Sequence, residues 1–412
     1  MPSKLSFDLA FVRLLAYATA LGAVVGLVTA GFLKVLHLGT ELVWARIPQW
    51  IGWDAHGGYV VAAGAMGGLL VGLGQRYLGD HPPTLNEAMA EFGQTRRIEY
   101  RHLPQAVAMS LTSLIFGASL GPESGLIDLA GGLGTWVGDR LKASARDAQA
   151  LTLAGITASV GAFFESPFGG AVIPVEPTDD ERPSAHGLLL PGLFAAAAGL
   201  VTLHLTLGQL ERLAEFPAYH RTPGLDLLAA VPLGLMGAAA GGLCLGCQRA
   251  CARLMQPLAR HPVWRGLLGG VLLGLLGMAL PFTFFSGEHQ LREVVAPADA
   301  AALGTAVLAL SALAKLAGVG LCLAAGFKGG TIFPILFTGA ALGMAAHQAM
   351  PALEPMVAVA AVMAAAATVV LRRPLVVILL LAVLLPLPVL AVVSVGAGVG
   401  AGAVRLVARR RA

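Results

Sequence analysis

The sequence predicts an all-α integral membrane protein built from two inverted-topology repeats of tilted and broken helices. Three observations carry that prediction. First, the 412 residues are 57% hydrophobic and only 12% charged, where an ordinary soluble domain has about 25% charged residues. Second, apolar runs of the ~20 residues that cross a bilayer recur at Phe11–Leu36, Tyr59–Tyr77, Gly187–Leu207, Ala229–Cys247, Leu267–Phe285 and Ala300–Phe327, and Met356–Ala391 has room for two. Third, turns rich in glycine and proline interrupt apolar stretches at matching places in the two halves. The 53 glycines suit close helix packing in lipid, and the alternating ten-residue segments of a β-barrel are missing.

In the first half, nearly unbroken apolar sequence from Leu103 to Ala118 leads into Ser119-Leu120-Gly121-Pro122-Glu123-Ser124-Gly125. Pro122 and the flanking glycines break a helix here, and broken backbone at membrane depth survives only where it lines a cavity. An ionisable side chain at that depth is costly and usually functional. A helix restarting after Glu123 aims its amides at the cavity, which suits an anion. The plain alternative is a surface loop with a solvated glutamate, for which the apolar flanks leave little room.

In the second half, Gly326-Phe327-Lys328-Gly329-Gly330-Thr331-Ile332-Phe333-Pro334 interrupts two apolar stretches. By itself it reads equally well as an interhelical turn or as backbone approaching a ligand. The pair says more. Pro167, in Glu165-Ser166-Pro167, follows Glu123 by 44 residues, and Pro374, in Arg372-Arg373-Pro374, follows Ile332 by 42. Interrupted helices at corresponding positions of two halves point to a midplane binding site. The expected division is a first repeat at 1–207, a connector at 208–224 and a second repeat at 225–412.

Basic clusters at Arg96-Arg97, Arg140–Arg146 and Arg409-Arg410-Arg411 mark cytoplasmic segments by the positive-inside rule. They place the C-terminus in the cytoplasm of a multi-pass plasma-membrane protein, and Lys4 and Arg13 favour the same side for the N-terminus. Cys244, Cys247 and Cys251 fall on one helical face and read as small packing residues, not metal ligands. No Gly-x4-Gly-Lys-Ser/Thr or His-Glu-x-x-His motif is present, and nothing in the sequence would activate Ser119 or Ser124 beside Glu123, so no cofactor, nucleic-acid partner or enzymatic activity is expected.

At these turns the chain resembles the CLC superfamily of chloride channels and proton-coupled chloride antiporters, and within it a divergent bacterial branch of ion-transport proteins. Ser119–Glu123 stands at the family's glutamate-gate motif and Gly329–Pro334 at its Gly-x-Phe-x-Pro motif. Arg101–Pro104 and Phe164–Gly170 match further patterns. The resemblance implies a homodimer in the bilayer, each subunit with its own pathway for an inorganic anion, chloride first, and for protons. It implies that Glu123 is the gating glutamate. It also implies that backbone N–H groups at Gly121, Ser124, Gly125, Gly330, Thr331, Ile332 and Phe333 hold the anion. Three departures stand out. Asp80–Leu85 replaces the family's Gly-Ser-Gly-Ile-Pro, no tyrosine follows Tyr219, and Pro177 takes the place of the inner proton-transfer glutamate, with Glu176 beside it. Glu176 and Asp128 are the candidate proton relays. Their plain readings are a solvated edge carboxylate and a side chain bonded to a neighbouring helix. Lys315 reads either as positive potential along the path or as a side chain snorkelling to water. The function expected is transmembrane anion transport. The alternatives are a family member that no longer transports and an intramembrane enzyme using Glu123 as acid/base.

Overall fold

A computed structural model describes residues 9–53, 57–79, 85–176, 189–208, 216, 219 and 224–409. In chain order the helices are α1 (Leu9–Glu41), α2 (Ile47–Ile51), α3 (Gly58–Leu78), α4 (Leu85–Thr95), α5 (Leu103–Ile115), α6 (Glu123–Arg140), α7 (Ala145–Phe163), α8 (Pro167–Val172) and α9 (Leu189–Leu207). The second half continues with α10 (Gly224–Met255), α11 (Pro262–Ala279), α12 (Gln290–Val295), α13 (Pro297–Ala325), α14 (Ile332–Ala349), α15 (Pro355–Leu371), α16 (Pro374–Leu384) and α17 (Leu390–Arg409). The all-α membrane fold stands. Among the described residues eight helical stretches are long and apolar enough to cross a membrane, while α5, α15 and α16 are apolar but shorter.

Local chemistry sets the helix ends. Proline occupies the first turn of α8, α11, α13, α15 and α16, where its missing N–H costs nothing. Ser144 caps α7 by accepting from the Asp147 N–H at 3.2 Å. Two boundaries differ from the sequence expectation. The run read as Leu267–Phe285 is helical from Pro262 and ends at Ala279, because Pro281 cannot continue it. Past α16, residues Leu387–Arg409 form a further membrane-length helix, beyond the runs read from the sequence.

By contact the chain forms two units, Met1–Phe32 with Leu85–Leu103 and Leu126–Leu210, and Leu33–Thr84 with Pro104–Gly125 and Glu211–Ala412. Each is built on a buried helix of small residues. In the first, Ala150–Phe163 of α7 are all buried. A Cβ on Gly155 would meet Ala130 O at 2.1 Å, and one on Gly134 would meet Leu151 O at 2.3 Å. In the second, Met356–Leu371 of α15 are all buried. Gly237 of α10, Gly343 of α14 and Gly396 of α17 each lie against it with no space for a side chain. In this second unit α3 and α11 also cross backbone to backbone. A Cβ on Gly68 would fall 2.1 Å from Gly266 O, and one on Gly266 would fall 2.3 Å from Gly68 O. Such crossings are why glycine is abundant, since dispersion between helices in lipid needs close approach.

The turns at Pro167 and Pro374 share a backbone form. Glu165 (φ 52°) and Arg372 (φ 58°) are both left-handed. Ser166 (φ −123°, ψ 81°) and Arg373 (φ −133°, ψ 79°) then lead into a proline that opens a helix. Glu165 also bonds His204 Nε2 at 2.9 Å. Pro177, Asp80–Thr84, Arg410, Arg411 and most of the 208–224 connector lie outside the described residues.

Candidate functional site

The two broken turns singled out in the sequence meet in the second unit. Gly121 N–H donates to Gly330 O at 2.8 Å, and Gly330 N–H donates to Gly121 O at 2.7 Å. This antiparallel bridge joins the turns directly. A Cβ on Gly329 would lie 2.5 Å from the Leu120 Cβ, so only glycine permits the approach. Further bonds fix both strands of the joint. Lys328 N–H donates to Ser113 Oγ at 2.8 Å, and Ser119 N–H to Cys322 Sγ at 3.4 Å. Gly326, left-handed at φ 96°, ends α13, and its carbonyl accepts from Gln75 at 3.2 Å.

Glu123 opens α6 and its side chain folds back onto this joint. It is 2% exposed. Oε1 accepts the Ile332 N–H at 2.7 Å, placing a carboxylate at the first residue of α14, where helix amides have no partner of their own. The amides of Phe333 and of Glu123 itself bear on the same carboxyl group. Among the described residues no donor lies within hydrogen-bonding geometry of Oε2. Both bridge glycines make room for the head group. A Cβ on Gly121 would stand 2.0 Å from Oε2, and one on Gly330 would stand 2.2 Å from Cδ and Oε1. A charge-assisted bond of this kind is worth about 1.5–3 kcal/mol, to which the helix dipole adds.

The amides of Gly121 and Gly330, expected to face an anion, are instead spent on each other's carbonyls. Their part is to lock the joint and leave space. Ser124 and Gly125 lie in the first turn of α6, Thr331 caps α14 (φ −112°, ψ 2°), and Ile332 and Phe333 form its first turn. Asp128 is buried at 6% exposure, with Glu91 of α4 as its charged neighbour. Glu176 follows α8, its N–H bonded to Val172 O at 3.0 Å. Cys244, Cys247 and Cys251 are free thiols on α10, where Cys247 backbone packs against Gly320 of α13. No group of three metal-ligating side chains occurs among the described residues.

Lys315 does not snorkel. It is fully buried, and Nζ donates to Phe284 O at 2.9 Å, Phe285 O at 3.0 Å and Gln290 Oε1 at 3.1 Å. Nζ also sits 5.0 Å from the Phe337 ring centroid, a favourable cation–π distance. The turn it holds contains Glu288, which feels the charge of Glu123. Sequence reasoning missed Glu288 because the apolar run to Phe285 looked continuous. Pro281 was the signal that a turn begins there.

Known proteins share this fold. The bacterial proteins called "Putative ion-transport protein YfeO" from Escherichia coli (strain IAI39) and Escherichia fergusonii are each 28% identical over 347 residues, covering 83% of this chain and 81% of their own. Among solved structures, a slow cyanobacterial Cl−/H+ antiporter superposes with a TM-score of 0.81 at 20% identity, covering 97% of this chain and 98% of its own. A CLC-type fluoride/proton antiporter gives 0.79 at 20% identity, covering 96% of both. A helical membrane fold, two broken turns joined around a glutamate, and a match of residues 63–404 to the family described as "Voltage gated chloride channel" lead to one conclusion: the chain belongs to the voltage gated chloride channel family.

Proposed function

We propose that the protein carries an inorganic anion, chloride first, across the membrane along a path that Glu123 opens and closes. The observation that carries this reading is the bond from the Ile332 amide to Glu123 Oε1. The carboxylate occupies the seat that a helix N-terminus offers to an anion, so the two compete for one place. Seated and ionised, Glu123 closes the path. Protonated or swung aside, it releases the amides of Ile332 and Phe333, and with them those of Ser124 and Gly125. Amides hold an anion without a full opposite charge, so it can also leave. Each proton taken up by Glu123 couples anion entry to pH, and Asp128 and Glu176 are the candidate groups for passing protons onward.

The same reading makes the protein a homodimer of the plasma membrane with cytoplasmic termini. It divides the chain into repeats at 1–207 and 225–412 about the 208–224 connector, for which the matching backbone at Glu165 and Arg372 speaks. Family membership favours transport over an enzymatic role for Glu123.

The test is anion efflux from liposomes containing the purified protein, with chloride, nitrate, fluoride and sulfate compared and a pH electrode in the same cell. Wild type is expected to release at least one of these anions in a pH-dependent manner, and Glu123→Gln to release it with that dependence gone. A folded Glu123→Gln variant with the wild-type pH profile removes Glu123 from the gate. No flux of any anion from folded wild type overturns the transport reading.

A further inference from the structure

Trp44 has no part in the gate as described, yet its indole reaches the chain that leads into Glu123. α5 ends at Ile115, and Gly117 just beyond it is left-handed at φ 81°. Gly117 N–H donates to Leu114 O at 3.0 Å and Ala118 N–H to Ser113 O at 3.1 Å, the paired bonds of a Schellman ending. Phe116 N–H donates to Thr112 O. The turn itself thus satisfies three of the last four helix carbonyls, which a helix leaves without partners of its own. The fourth, Ile115 O, takes its donor from another part of the chain, Trp44 Nε1–H at 2.8 Å. The indole also covers the turn. A Cβ on Gly117 would fall 2.8 Å from Trp44 Cζ2 and 2.8 Å from Phe284 Cδ1. Phe285 N–H donates at 3.2 Å to Gly117 O.

Trp44 is aimed there by its own backbone. Past α1 the chain widens into a π-helical turn, Leu42–Arg46, closed by Ile47 N–H on Leu42 O. Such turns are rare and recur at functional positions. Arg46 spans this one with a 2.9 Å bond to Glu41 Oε1, and Tyr59 of α3 donates its O–H to Val43 O. The indole packs on three rings: Phe284 at 5.0 Å between centroids, Phe285 at 5.4 Å, and Tyr59, edge-on, at 6.4 Å. Phe284 and Phe285 are fixed in turn by Lys315, which bonds both of their carbonyls. Phe284 also fills the space where a side chain at Gly277 of α11 would be. From Gly117 onward the chain has little slack before Glu123. Ser119 N–H is held by Cys322 Sγ, and Gly121 by its bridge to Gly330.

We propose that Trp44 is a positioning residue for Glu123: its N–H bond to Ile115 O and its ring against Gly117 fix the turn that seats the carboxylate on the Ile332 amide. This rests on the reading of Glu123 as a gate. Without the indole donor, the Ile115 carbonyl ends a helix with no partner, and an unpaired carbonyl favours any movement that brings it one. That movement is a rotation of the turn at Gly117. The seat is a 2.7 Å bond between Glu123 Oε1 and the Ile332 amide. Hydrogen bonds weaken steeply when bent or stretched, so a small displacement of the turn is enough to loosen it. Trp44 thereby ties the end of α1 to the gate without touching the anion or the carboxylate.

The experiment is amide hydrogen exchange of the purified full chain in detergent, read at Gly117–Gly121 and at Ile332, for wild type, Trp44→Phe, Glu123→Ala and the double variant. Phenylalanine keeps a ring and removes the donor. Trp44→Phe is expected to exchange at least about fivefold faster at both places, the effect of one such bond. Glu123→Ala is expected to free Ile332 and leave the turn as it is. In the double variant Ile332 should exchange no faster than in Glu123→Ala, because Trp44 acts there only through the carboxylate. Unmoved exchange at Ile332 in monodisperse Trp44→Phe overturns the proposal. So does a further increase at Ile332 in the double variant, which would mark a general loosening. Tyr59→Phe is the milder second variant. It keeps the indole and frees the Val43 carbonyl one residue before it, and should move both places the same way by less. It decides the matter if Trp44→Phe does not fold, and an unmoved Ile332 in it then overturns the proposal. In liposomes Trp44→Phe should raise anion efflux at neutral pH and flatten its pH profile, and should change nothing on a Glu123→Gln background. The same change on both backgrounds overturns the proposal. Absence of wild-type flux would count against the transport reading alone, since exchange at Ile332 judges Trp44 without transport.

Discussion

Replacing Gly330 with alanine tests the gate without touching the carboxylate. Gly330 is not at positive φ, so alanine keeps the backbone and its bridge to Gly121. Its Cβ would arrive 2.2 Å from Glu123 Cδ and Oε1, well inside van der Waals contact. What must yield is the end of a flexible side chain, so the protein folds and the head group moves. Leaving its seat costs Glu123 the bond to the Ile332 amide, about 1.5–3 kcal/mol for a charged acceptor. At 1.4 kcal/mol per decade that lowers the ratio of seated to unseated carboxylate roughly 10- to 150-fold. Liposome efflux at neutral pH should therefore rise toward that of Glu123→Gln, with a flattened pH profile, although Glu123 is still present. Gly31→Ala is the control, with no atom within 4 Å of the added Cβ, and should leave flux unchanged. A well-folded Gly330→Ala protein with wild-type flux and pH dependence would refute the idea that the seat at α14 closes the path.

Two further outcomes follow from the packing. Gly68→Val drives a side chain into Gly266 O of the facing helix, 2.1 Å from even a first carbon. Backbone cannot retreat as a side chain can, so thermal unfolding in detergent should show a loss of at least about 1–3 kcal/mol, and an unchanged melting temperature would contradict the α3–α11 crossing. Lys315→Met leaves the carbonyls of Phe284 and Phe285 and the Gln290 amide oxygen without their buried donor. At about 1–3 kcal/mol for each of the three orphaned groups it should lower stability by roughly 3–9 kcal/mol, read by the same melt, whereas a wild-type melt would show that the ammonium does not hold this turn.

Much of this protein is legible in its sequence. Hydropathy and run length are local properties, and they identify a membrane protein and most of its spans. The breaks at Ser119–Gly125 and Gly326–Pro334 are legible too, because Pro and Gly act on their own backbone. A carboxylate between them, flanked by apolar sequence, marks itself by its cost as the candidate for function. The boundary at Pro281 was present in the chain but masked by the phenylalanines after it.

The partners were decided only by the tertiary structure. Glu123 meets the Ile332 amide across 209 residues of chain, and no local pattern tells which amide a buried carboxylate will find. Gly121 and Gly330 looked like anion ligands because glycine exposes its N–H. In the folded chain each amide already has a carbonyl opposite, and what the glycines contribute is the space where a Cβ would be. Lys315 was read as either a source of positive potential or a snorkelling side chain, and three oxygens around it settled that it is held inside. Composition and periodicity determine that such a chain enters a membrane and where its helices break. Close packing determines which donor faces which acceptor, since a hydrogen bond depends on positions fixed to a few tenths of an ångström by residues far away in the chain.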